Sequence, residues 1–206
     1  MAGGVMKRNP GVHRSDTVAA GLLLALGPLQ AHAHLIETGL GPVYDGIIHF
    51  ALTPEDLIPA LALVLLAALR GKSHARRVVL VLPVAWLLGG TAGTIGGAPA
   101  FAVPAWLPLL VLGGLVAADA RLPAGATTAI AALLGIVLGY ANGAAMVQAG
   151  PGLRGVIGIA ATVFVITILV AACVAAWQAG WLRIAWRVAG SWIAASGLLL
   201  LGWSLR

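Results

Sequence analysis

The chain has 206 residues, 61% of them hydrophobic and 9% charged, with a mean hydropathy of +1.02. An ordinary soluble domain is about 45–50% apolar and about 25% charged, so a water-soluble fold is excluded, as is a disordered chain, which needs low hydrophobicity. The single cysteine, Cys173, excludes a disulfide scaffold. The net charge of +6 is no sign of nucleic-acid binding, because the cations fall in short clusters between long apolar runs, the pattern of membrane topology.

Residues 1–33 read as a signal peptide. Lys7, Arg8 and Arg14 give a basic start, Val18 to Leu29 an apolar stretch, and Ala31-His32-Ala33 the small residues of a cleavage site. The apolar stretch is too short to cross about 30 Å of hydrocarbon as a helix; an uncleaved anchor is the alternative. Cleavage after Ala33 leaves residues 34–206 as the transmembrane domain. His34 then becomes the mature N-terminus on the outer side of a bacterial inner membrane, its free amine and imidazole forming a small chelating pair.

Six apolar stretches follow, at 46–69, 78–97, 101–118, 124–146, 153–177 and 184–204, each close to the roughly 20 residues of a membrane helix. The predicted fold is therefore an all-α membrane protein with about six transmembrane helices in one bundle. No stretch alternates as the strands of an outer-membrane barrel do. With the mature start outside, the inner loops carry Arg70, Lys72, Arg76, Arg77, Arg121, Arg183 and Arg187, against Arg154 and Arg206 outside, as the positive-inside rule requires. Trp106 and Trp203 fall near the outer interface, and Trp177, Trp181 and Trp186 near the inner one. Gly89, Gly93 and Gly97, and again Gly135, Gly139 and Gly143, recur four residues apart, a stripe through which membrane helices approach closely. Gly71-Lys72-Ser73 imitates the end of a phosphate-binding loop, but Leu66 stands where that motif needs glycine and the preceding strand is missing.

Five carboxylates remain after the signal segment: Glu37, Asp45, Glu55, Asp56 and Asp119. Four lie between positions 37 and 56, together with His34 and His49, and ionisable groups at membrane depth mark function. Thr53-Pro54-Glu55-Asp56 is a helix start: a hydroxyl N-cap, proline at N1 and acids in the first turn. A helix from Pro54 to about Leu69 is about 24 Å long, so residues 46–53 must complete the crossing as a separate piece. A break at Thr53-Pro54 lets His49 fold back over Glu55 and Asp56, as broken helices do around transporter ion sites. Thr91, Thr94, Tyr140 and Asn142 reach the same outer level and are further candidates for the pathway. Asp119 with Arg121 reads as a solvated turn.

Imidazole and carboxylate without thiolate suit a divalent ion such as nickel, cobalt, zinc, manganese or ferrous iron. No nucleophile, base and orienting acid occur together, so an enzyme is not expected, and no organic cofactor is implied. The chain resembles the HupE/UreJ family of hydrogenase and urease accessory membrane proteins. That family has a hallmark of His, five residues, then Asp-His; here His49, Glu55 and Asp56 occupy those positions, with Glu for Asp and Asp for the second His. A second hallmark is similar to Gly139-Tyr140-Ala141-Asn142-Gly143, where Asn142 and Leu138 stand for histidines and Ala145 for a glutamate. The resemblance implies a nickel or cobalt permease that serves metalloenzyme maturation. Its partners would be lipid, the metal ion, and either further copies of itself or maturation proteins. A non-transporting accessory subunit that docks on a partner and hands over or senses metal is the alternative.

Overall fold

The computed structural model describes residues 38–99, 103–176 and 180–206; the expected signal peptide and cleavage site, His34 and Glu37 lie outside them. The described residues form seven helices and no strand: α1 (Pro42–Leu52), α2 (Pro54–Ala68), α3 (Lys72–Gly96), α4 (Trp106–Ala117), α5 (Ala124–Gln148), α6 (Gly152–Ala176) and α7 (Gly180–Ser204). The all-α membrane class is thus met. Four helices, α3, α5, α6 and α7, are each long and apolar enough to cross a membrane, and α1 with α2 passes the same test as a single span bent by 73°. The stretch at 101–118 holds only the 12-residue α4, about 18 Å of helix.

The bend has a local cause. Pro54 has no N–H to continue α1, and its ring pushes the preceding residue out of the helical region. Thr53 accordingly sits at φ −103 and ψ 91, and α2 restarts with Pro54 as its first residue. One detail differs from the sequence expectation. The Thr53 hydroxyl does not cap α2; it donates backward to the His49 carbonyl at 2.6 Å. The end of α1 has a free carbonyl within reach, whereas the amides of Asp56 and Leu57 already bond the Thr53 carbonyl at 3.1 and 3.0 Å.

Three helix pairs approach through glycine. In α3 and α5, a Cβ at Gly89 or Gly93 would collide with the backbone of Ile136 or Tyr140, and one at Gly139 or Gly143 with the backbone of Trp86 or Gly90. Gly135 faces Leu82 and Ala85 in the same seam, whereas Gly97 ends α3 at φ 72 in open space. Two pairs went unread in the sequence: Gly46 of α1 lies on Gly155 of α6, and Gly113 of α4 on Gly190 and Ala194 of α7. Between these seams sits an apolar core that includes Phe50, Leu63, Leu66, Leu82 and Trp86, all wholly buried. The outward face of α7 exposes Trp181, Ile184, Trp192 and Trp203, apolar surface of the kind lipid covers.

Candidate functional site

The restart at Pro54 places two acids in the first turn of α2, but successive helical residues point about 100° apart. Asp56 turns inward and is 7% exposed; Glu55 stays exposed. Across from Asp56, α5 presents Asn142, which is 5% exposed. Its Nδ2 donates to Asp56 Oδ2 at 2.8 Å and to the Leu138 carbonyl at 2.8 Å. The first contact joins residues 86 positions apart in the chain. Asn142 Oδ1 is buried and has no hydrogen-bond partner.

His49 lies one turn before the break, half-buried, beside the Asn142 side chain and within electrostatic reach of Glu55. The residues brought together are therefore His49, Asp56 and Asn142, with Glu55 at the exposed rim. Among the described residues, no three His, Cys, Asp or Glu side chains gather as a metal-holding group; the third polar member at this centre is an amide. Next to His49 in the chain, Phe50 meets Trp86 edge-on, with ring centroids 5.4 Å apart. The Trp86 indole nitrogen is buried without a hydrogen-bond partner.

The other candidates stand apart from this cluster. Asp45 Oδ1 accepts from the Thr38 amide at 2.8 Å and the Thr38 hydroxyl at 2.7 Å, so this carboxylate fastens the entry to α1. The Thr91 and Thr94 hydroxyls go to carbonyls of their own helix, Leu88 at 2.8 Å and Thr91 at 2.7 Å. The Tyr140 hydroxyl lies against Gly96, where it packs α5 on the end of α3.

Asp119 is corrected outright. It does not form a solvated turn with Arg121. Its carboxylate receives Arg70 from the end of α2 and Arg183 from the start of α7, the latter through Nε at 2.9 Å and Nη2 at 2.6 Å. The sequence held one usable signal: Asp119 is the only carboxylate after Asp56, and a lone acid among so many inner cations will be paired.

No curated protein and no solved structure shows a significant match to the chain. A family model described as HupE / UreJ protein matches residues 20–200, which takes in every described helix except the end of α7. The inward Asp56, the neighbouring His49 and the Asn142 that meets them lie on the two segments that carry the family resemblance, and the chain belongs to the HupE / UreJ family.

Proposed function

We propose that this chain is a six-pass inner-membrane permease-like protein that binds a divalent transition-metal ion, nickel or cobalt, on its periplasmic side and passes it inward for metalloenzyme maturation. Family membership supports the metal-handling role. The observation that carries the reading is the orphaned Asn142 Oδ1, buried next to an Asp56 carboxylate that already accepts from the same amide. A buried polar atom left unpaired costs about 1–3 kcal/mol, and a cation shared with Asp56 and His49 satisfies it. Glu55 at the exposed rim draws cations toward the mouth. The apolar Phe50–Trp86 contact closes the floor until the path opens.

The chain's own returns support the six-pass reading. Asp119 is bonded to Arg70 and Arg183, so the end of α2, the end of α4 and the start of α7 share one level. The 25-residue α3 leads away from that level, and the segment containing α4 must bring the chain back to it.

The test is total cell metal, element by element, in a host expressing wild type, His49→Ala or Asp56→Ala at matched membrane levels. Accumulation of nickel or cobalt with wild type alone supports the permease and names its ion. Three strains matching the empty vector across all elements overturn transport in favour of an accessory subunit.

A further inference from the structure

One rod connects the outer cluster to the opposite end of the bundle. α2 carries Asp56 in its first turn and is followed by Arg70 just past its last, about 21 Å further along the axis. At that far end, Arg70 Nη2 donates to the Asp119 carboxylate and, at 3.3 Å, to the Asp119 carbonyl. Arg183 grips the second carboxylate oxygen. One turn along α7, Arg187 Nε donates to the Ala117 carbonyl at 3.0 Å, where α4 ends. Asp119 itself sits at φ 52, the left-handed turn that closes α4, where its amide bonds the Val116 carbonyl at 3.0 Å and the Ala120 amide bonds the Leu115 carbonyl at 2.9 Å.

The arrangement is a clasp under tension. The Arg70 and Asp119 side chains are 10% and 17% exposed, so water screens their pairing poorly. Burial, and then the guanidiniums of Arg183 and Arg121, push Arg70 down from its ordinary value. The cations repel one another, and the single carboxylate holds them together. Removing its charge therefore converts attraction into unopposed repulsion. The other end of α2 is already uncoupled from α1 by the extended backbone at Thr53.

We propose that Arg70, Asp119 and Arg183 form the inner gate of the permeation path: they pin α2 to α4 and α7, and their release lets α2 swing about Thr53. This inference rests on the permease reading for the cargo, but the motion of α2 is measurable without any metal. Ala67, in the last turn of α2, is wholly buried while the clasp is shut. Cys173 is exposed, so it is first replaced (Cys173→Ala) and Ala67→Cys introduced as the reporter in the full-length chain. Inverted membrane vesicles are then treated with a membrane-impermeant maleimide.

With the clasp intact, labelling is slow. Asp119→Asn should raise its rate about tenfold, the shift expected when charge-assisted hydrogen bonds are lost. Arg183→Gln leaves the Arg70–Asp119 pair and should raise it less. Asp119→Asn at normal membrane level with unchanged labelling overturns the gate, showing a merely structural pair. If Asp119→Asn does not accumulate, Arg183→Gln decides alone, and an unchanged rate overturns the gate. Unchanged labelling with intact metal accumulation sinks the gate and spares the permease. Faster labelling where wild type accumulates no element sinks the permease and leaves α2 latched by this clasp.

Discussion

Both hydrogens of the Asn142 amide go to acceptors, one on another helix and one on its own, so its oxygen has to find a donor or a cation elsewhere. This gives the amide two separable roles. As a donor it steadies the buried Asp56 carboxylate, and Asn142→Ala should cost about 2 kcal/mol, near the middle of the range for hydrogen bonds to charged groups. As the oxygen ligand proposed above, it would bias the centre toward harder ions, since imidazole suits nickel and oxygen donors suit manganese or magnesium. Asn142→His supplies a ring nitrogen at the position where the family hallmark carries one. We expect it to raise the ratio of accumulated nickel to manganese above that of wild type. Thermal melting in detergent reads the first role and elemental analysis the second; an unchanged ratio would remove Asn142 from the coordination sphere. The sequence showed His49, Asp56 and Asn142 as polar residues at one depth. It did not show that Glu55 faces away, because adjacent residues in a first turn differ only in rotation, and which one faces inward is decided by the partner helix.

The elements were legible wherever covalent geometry decides them. Pro54 fixes the break whatever surrounds it, so a helix beginning at Pro54 was readable from the chain, and α2 does begin there. The direction of the Thr53 hydroxyl was not, because a threonine between two helices can serve either end. The helix start at Lys72 precedes the apolar stretch by several residues, since a basic first turn extends beyond the hydrocarbon. Glycine was legible as a stripe within one helix. Pairings such as Gly46 with Gly155 depend on which helices become neighbours. The seams also make a graded prediction. A methyl at Gly139 meets the Trp86 backbone, which cannot move alone, whereas Gly125 has open space around it. Gly139→Ala should destabilise by about 1–3 kcal/mol through overpacking, and Gly125→Ala should be neutral or stabilising because alanine is the better helix former. Equal melting temperatures for the two variants would mean the α3–α5 seam is not the tight contact its geometry describes.

For the whole molecule, charge bears on the number of crossings where length does not. By length and composition alone, four helices qualify, and a fifth crossing is added if the bent pair is one span. The 12 residues of α4 cover only about 18 Å, so a length criterion passes over it. The Asp119 clasp supplies what length lacks, because Arg70, Asp119 and Arg183 are bonded to one another and must lie at one end of the bundle. On the proposed six-pass reading, a chain that leaves that end along α3 and is back at Asp119 before α5 starts makes two crossings, one up and one down. Non-helical backbone preceding Trp106 is tolerable at depth only when buried in protein or lining a cavity. Counting α4 as a crossing, as proposed, makes the number even and would put the residues before α1 and the end of α7 on the same side. Reporters active on only one face of the membrane, fused after Arg206 and inserted near Gly39, should therefore report the same compartment. Opposite compartments would mean an odd number of crossings. The pairing of α4 with α7 through Gly113 and Gly190 would then have to form without α4 spanning the bilayer, and the inner level assigned to Asp119 would be lost with it.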